Sequence, residues 1–275
     1  PAEGKSFPLV ILLAGSGPND MDETIYDNKP FQDIAWGLAK KGIASYRYDK
    51  RTYTYPESFT VKDTVEQEVI FDAVAAFSQM KQQKQIDTNK IYILGHSLSG
   101  YLIPRIAAET DGCAGYIMMA APARALDELL MEQVTYLAKL DGNITKDEQA
   151  AIDQYKQDQQ DLQRIDELSD AKIFFGGMSK AYMKDLLSYD AVQQAADIKV
   201  PVLCAQGLRD YQVTEEDQAI WRKNFETHKN WKFTTYPNAT HLMIDGEGTP
   251  TNEEYKTKGH VNQAFIEDIA SFIKK

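Results

Sequence analysis

Residues 90–109 read KIYILGHSLSGYLIPRIAAE. A β-branched and aromatic run over 91–95 ends in a cluster of glycines and serines, and a helical pattern over 99–109 follows. Gly95, Ser97 and Ser99 occupy the positions of G-x-S-x-G, with serine in place of the last glycine and Gly100 directly after it. A tight strand-to-helix turn of this kind brings the positions two before and two after the central serine against neighbouring backbone, so both must be small. Serine meets that requirement. Pro104 lies near the first turns of the helix, where it is tolerated and bends the chain. On the motif alone two readings of Ser97 stand: a capped helix N-terminus, or a nucleophile whose hydroxyl is exposed at the edge of a sheet.

Working outward, short apolar runs alternate with helical patterns. Strands are expected at 8–14, 43–48, 91–95, 115–120, 200–206 and 231–236, and helices at 31–41, 62–84, 99–109, 214–228 and 258–273. This alternation predicts βαβ units and a mostly parallel sheet flanked by helices on both faces. Residues 124–190 break the rhythm, being rich in Gln, Asp, Lys and Leu with helical spacing and no strand. The expectation is one domain, 1–275, with a helical cap inserted at 124–190. Phe174, Phe175, Met178, Tyr182 and Met183 gather around the Gly176-Gly177 break; they form the cap's own core or face a pocket, and the sequence leaves both open.

A serine hydroxyl needs an imidazole to take its proton and a carboxylate to fix the imidazole's tautomer. PVLCAQGLRDYQV, 201–213, is a buried strand running into a turn that carries Asp210; WKFTTYPNATHLMI, 231–244, is a further strand and turn that carry His241. Asp210 also reads as a turn or capping residue. The order Ser97, Asp210, His241 nevertheless matches a Ser-Asp-His triad on an α/β sheet. The other three histidines have simpler readings: His96 packs or hydrogen-bonds beneath the turn, His228 is a solvated residue at a helix end, and His260 is a surface or capping residue. ILLAGSGPNDMDE, 11–23, ends the first strand with exposed N–H groups. It reads as a glycine-rich turn, a phosphate cradle, or an oxyanion site made by the Ser16 and Leu98 N–H groups. Asp20, Asp22 and Glu23 in this loop are expected to face the loop of Lys50 and Arg51 and to brace the entrance by an ion pair with one of them; the alternative is that they bind substrate, Asp20 or Glu23 holding the free amine of a peptide.

Composition narrows the classes. With 30 basic and 41 acidic side chains the net charge is −11, which disfavours nucleic acid and anionic lipid as partners. No apolar stretch approaches the roughly 20 residues of a membrane span. No nucleotide fingerprint is present and no histidine pair has metal-site spacing, so neither cofactor nor metal is expected. Cys113 and Cys204 are expected to be reduced and buried.

LLAGSGPNDMDET, YDKRTYTY, GHSLSG, QGLRDYQV and NATHLM together resemble the α/β-hydrolase superfamily, and within it the bacterial esterases and serine aminopeptidase-like hydrolases. The resemblance implies an α/β-hydrolase fold, an inserted cap, no cofactor, and a Ser97-His241-Asp210 triad. The implied activity is cleavage of a carboxylic ester of a small or medium neutral acyl substrate through an acyl-enzyme. A peptidase acting on short peptides and a catalytically silent binding module are the alternatives. Members usually carry a hairpin before the first strand seen here, which leaves open whether an N-terminal part precedes residue 1. A cytoplasmic or exported location and a homo-oligomer are both left open.

Overall fold

The computed structural model describes residue 1 and residues 6–274. Six strands form one parallel sheet: β1 (Phe7–Leu13), β2 (Ala44–Tyr46), β3 (Ile86–His96), β4 (Gly115–Met119), β7 (Val202–Gly207) and β8 (Trp231–Tyr236), in the order β2-β1-β3-β4-β7-β8. A two-residue pair, β5 (Ile173–Phe174) and β6 (Met178–Ser179), stands apart as a small antiparallel hairpin. The helices of the first half are α1 (Pro30–Ala39), α2 (Arg51–Thr54), α3 (Phe71–Met80), α4 (Leu98–Tyr101) and α5 (Ile103–Glu109). Those of the second half are α6 (Leu126–Ala138), α7 (Lys146–Leu162), α8 (Lys180–Leu187), α9 (Ala191–Ala195), α10 (Glu215–Phe225) and α11 (Gln263–Ile273).

Successive residues of a strand point to opposite faces, and both faces of this sheet are covered. Leu9, Ile11 and Leu13 of β1 pack with Val69 and Phe77 near α3, Ile106 of α5 and Trp221 of α10, whereas Val10 and Leu12 pack with Phe31 and Ile34 of α1 and Phe265 of α11. This explains why the central strands read as unbroken apolar runs. The helix expected at 99–109 is two short helices interrupted at Leu102: Pro104 has no N–H to give the Gly100 carbonyl, so the ladder restarts after α4. The first part of the helix expected over 62–84 is a wider π-type turn, Glu66–Ile70, which delivers Glu68 inward.

Register aligns the strand ends. Leu13 lies beside Gly95, His96 beside Met119, and Gly207 beside Tyr236. The loops after β1, β3, β7 and β8 therefore leave at one edge, and β1 beside β3 is the point where the strand order reverses, where α/β sheets bind ligands. No helix of the described residues is long and apolar enough to cross a membrane.

Candidate active site

The turn after β3 is as tight as the spacing demands. Ser97 has φ +51° and ψ −119°, an unusual conformation for a residue with a Cβ, and its N–H donates to the Met119 carbonyl at 2.9 Å. A Cβ on Gly95 would run into the Ser99 carbonyl and lie 2.8 Å from Gly100 N, and one on Gly100 would lie 2.7 Å from the Ala121 Cβ. Ser99 is buried in the same turn and donates its hydroxyl to the Ala14 carbonyl at 2.5 Å. The serine that replaces the last motif glycine thus ties the elbow to the end of β1.

Asp210 lies three residues past β7, with its carboxylate fully buried. One oxygen accepts the Gln212 and Val213 N–H groups at 2.8 and 2.9 Å; the other accepts His241 Nδ1 at 2.7 Å and Gln206 Nε2 at 3.3 Å. Donation from Nδ1 to a carboxylate fixes the tautomer and leaves Nε2 as the basic nitrogen. Gly207 permits this approach, because a Cβ there would strike the Ala239 and Thr240 carbonyls that lead into His241. Gln206, a residue the sequence reading did not single out, steadies the acid from within β7.

In the loop after β1, Gly15 is closely approached by side chains of the elbow and of its own loop. An added Cβ would sit 3.1 Å from the Ser97 Cβ and 3.3 Å from Glu23 Oε1. Ser16, Ser97 and Leu98 line one cavity of about 90 Å³, walled by Leu126, Leu129, Leu130 and Gln133 of α6, Met178 of β6, Tyr182 of α8, and Gln212 and Val213 beside Asp210. Leu98 opens α4, so its N–H is among those a helix start leaves without an intrahelical partner.

A family model described as serine aminopeptidase, S33, matches residues 28–248, most of the chain and all of the span from α1 to beyond His241. The chain belongs to the serine aminopeptidase S33 family. Among relatives of this S33 protein, the esterase EstD of Thermotoga maritima is 42% identical over 271 residues, covering 98% of this chain; the chain spans 62% of that relative's length. Est1E of Butyrivibrio proteoclasticus, solved with ferulic acid, superposes with a TM-score of 0.63 at 18% identity, over 99% of this chain and 92% of that one. The Pyrococcus furiosus esterase PF2001 superposes with a TM-score of 0.59, also at 18% identity, over 98% and 82%. The two structures show that the S33 chain has the α/β-hydrolase fold.

Several expectations for this S33 chain are refined by its side-chain contacts. Lys50 and Arg51 do not pair with the acids of the loop after β1. Lys50 pairs with Glu68 at 2.7 Å and Arg51 with Asp72, while Asp22 pairs with Arg47 at 2.7 Å and Asp20 accepts the Thr24 N–H at 2.8 Å. The two loops do meet, through the Lys50 N–H on the Asn19 carbonyl at 2.9 Å and the Met21 N–H on Asp49 at 2.7 Å, but the Lys50 and Arg51 side chains turn to Glu68 and Asp72 in the segment that follows. Lys50 and Glu68 are both nearly solvent-free, and removing one partner of such a pair costs about 3–5 kcal/mol. Burial and the Glu68 charge push the Tyr182 phenol well above its ordinary range, so it remains a donor.

His96 lies under the elbow, as expected, but has a partner the sequence did not disclose. Its Nδ1 faces Glu23 Oε1 at 2.8 Å, its Nε2 faces the His241 carbonyl at 2.9 Å, and its ring centre is 4.6 Å from that of His241. Both ring nitrogens meet acceptors, which suits an imidazolium. Burial alone would lower the His96 pKa, but the Glu23 charge and hydrogen bond, with the His241 carbonyl, raise it above the ordinary value of about 6.5. A raised folded-state pKa contributes stability that is fully present below the unfolded value and is lost as pH rises through the folded one. Urea unfolding of the parent and Glu23→Gln should accordingly show a stability gap that narrows between about pH 6 and about pH 9. A gap of equal size at both would rule out the charged pair.

The remaining residues divide cleanly. His228 is exposed beyond α10 and His260 is exposed against Asp33 at 3.1 Å. Cys113 and Cys204 are free and buried, and burial pushes their thiols up to about 11 and about 12. Phe174, Phe175 and Met183 pack with Leu162 and Ile165 in a separate small core. Met178 touches that core and also lines the cavity with Tyr182. Each of the two readings of this aromatic cluster therefore holds for part of it.

Proposed function

We propose that this chain is a serine hydrolase that cleaves short-chain carboxylic esters, with Ser97 as nucleophile, His241 as base and acid, and Asp210 as the group that orients His241. The observation that carries the reading is the character of the cavity at Ser97. It is mostly apolar, and none of its described lining residues is Asp or Glu. Arg124, the one charged residue on it, is neutralised by Asp217 at 2.8 Å and Glu132 at 2.7 Å. An aminopeptidase needs a carboxylate to hold the free amine of its substrate. Asp20 and Glu23, the candidates in the neighbouring loop, do not line the cavity: Asp20 accepts the Thr24 N–H, and Glu23 is buried beneath the elbow with Oε1 on Gly15 and His96. The 42% identity to a protein named as an esterase supports the same choice.

In this reading the Ser97 Oγ attacks the ester carbonyl carbon while its proton passes to His241 Nε2, and Asp210 stabilises the imidazolium that forms. The Ser16 and Leu98 N–H groups hold the oxyanion. Collapse breaks the C–O bond to the alcohol, which leaves with the proton from His241; water, deprotonated by His241, then releases the acid and restores Ser97. Residues 124–190 serve as the cap over this step, a role supported by the six residues from α6, β6 and α8 on the cavity wall.

Intact-mass analysis after a fluorophosphonate probe should give a single adduct, mapped by digestion to the 90–109 peptide. p-Nitrophenyl acetate should be turned over and leucine p-nitroanilide should not. A cavity of about 90 Å³ also predicts that p-nitrophenyl octanoate is cleaved at least about tenfold less efficiently than the acetate. Preferential cleavage of the anilide would replace the ester reading with the peptidase one, and absence of an adduct would leave a silent fold.

A further inference from the structure

Three consecutive N–H groups follow the end of β1, and two of them are occupied. Gly15 N–H donates to Glu23 Oε1 at 2.6 Å and Gly17 N–H to Glu68 Oε1 at 2.9 Å. Between them, Ser16 N–H meets no acceptor among the described residues, and Ser16 lines the cavity beside Ser97. The direction of that N–H is set from the far side of its own peptide unit. The Gly15–Ser16 amide is trans, so the Gly15 carbonyl and the Ser16 N–H point opposite ways across one rigid plane. Lys50 Nζ donates to this carbonyl at 2.6 Å and is anchored on Glu68 Oε1 at 2.7 Å. A buried cation on the carbonyl oxygen also polarises the amide, which strengthens its N–H as a donor.

We propose that Lys50 is a positioning residue for the oxyanion site: its ammonium, held by Glu68, aims and strengthens the Ser16 N–H. The proposal rests on the ester-hydrolysis reading above, in which that N–H holds the developing charge. Glu68 is itself steadied from the inserted segment, because the Tyr182 hydroxyl of α8 donates to Glu68 Oε2 at 2.6 Å. Tyr182 also lines the cavity. Seating of residues 124–190 and alignment of the oxyanion donor are thereby parts of one hydrogen-bonded chain, Tyr182 to Glu68 to Lys50 to the Gly15 carbonyl.

A residue that merely holds the loop together and one that aims a donor differ in what their loss changes. The ester carbonyl carries little charge before attack, so misaiming the donor falls on kcat and leaves KM nearly unchanged. The test uses the full chain with Lys50→Met, which keeps the length of the side chain without its charge, and Tyr182→Phe, which removes one hydroxyl. Each is assayed with p-nitrophenyl acetate and with an alkyl trifluoromethyl ketone, whose adduct on Ser97 bears an oxyanion, after fluorophosphonate titration of active sites. Lys50→Met should lower kcat about 100-fold with KM within about threefold of the parent, and weaken the ketone by the same factor as kcat/KM. Tyr182→Phe should move both quantities in the same sense by about fivefold.

Parental kcat in Lys50→Met, a loss confined to KM, or ketone affinity that does not follow kcat/KM would overturn the proposal. Where Lys50→Met does not fold, Tyr182→Phe decides by the same criteria. A parent chain that neither turns over the ester nor takes up the phosphonate removes the ester reading and this inference with it. An active parent matched by its variants removes this inference alone.

Discussion

Replacing Ser97 by alanine is expected to lower ester turnover about a million-fold and to leave the thermal midpoint within about 2 °C of the parent. The substitution deletes one oxygen from a side chain that is part-exposed on the cavity. Alanine has the same Cβ, so it inherits the φ of +51° unchanged, and the N–H bond to the Met119 carbonyl and the Tyr101 N–H bond to the residue 97 carbonyl remain. Nothing structural is removed, so the loss belongs to the chemistry. Steady-state kinetics and calorimetry check the two halves of the expectation. Turnover above about a hundredth of the parental rate, with contaminating activity excluded, would mean that Ser97 is not the proposed nucleophile.

Asp210→Asn should cost about 10⁴-fold in kcat, through the wrong tautomer of His241. One carboxylate oxygen accepts the Gln212 and Val213 N–H groups, so the amide oxygen of asparagine is held there. Its NH₂ then takes the place of the oxygen that faced His241 Nδ1 and Gln206 Nε2. A donor now meets His241 Nδ1, so the imidazole turns its lone pair to that nitrogen and carries its proton on Nε2. An Nε2 that bears a proton cannot take one from Ser97. The NH₂ also opposes the Gln206 amide, a buried mismatch that costs about 1–3 kcal/mol of stability. Kinetics at neutral pH and ¹⁵N shifts of His241 test the argument together. A loss of less than about tenfold, or an unchanged tautomer, would remove Asp210 from its proposed role.

How much of this was legible in the sequence depends on distance along the chain. The elbow is written within about ten residues, because a strand, a tight turn and a helix start each leave a local signature in residue size and periodicity. Asp210 and His241 could be placed because each follows directly on a strand, and parallel strands end at one edge. The contacts around the site are another matter. Glu23 meets His96 across 73 residues, and His96 meets the His241 carbonyl across 145. Lys50 and Glu68 are only 18 apart, yet their meeting depends on a π-type turn that no residue pattern announced. Topology suggested that the acids at 20–23 would face the loop carrying Lys50 and Arg51, and the two loops do meet, but the side chain that pairs with Asp22 is Arg47. In residues 124–190, helical spacing identified apolar positions but could not divide them between a small core and the cavity wall, since both take apolar side chains.

Ser99 shows what a motif specifies. Written in letters, G-x-S-x-G counts position 99 as a mismatch. Written as a volume and a bonding capacity, the same position asks for a side chain that fits against β1, and a hydroxyl fits when a carbonyl such as that of Ala14 is within reach. A glycine at 99 would restore the letters while removing a tie between two loops of the proposed catalytic apparatus. Search patterns for this fold gain in reach when the last glycine is replaced by a size limit and the facing backbone is allowed to decide which small residue belongs there.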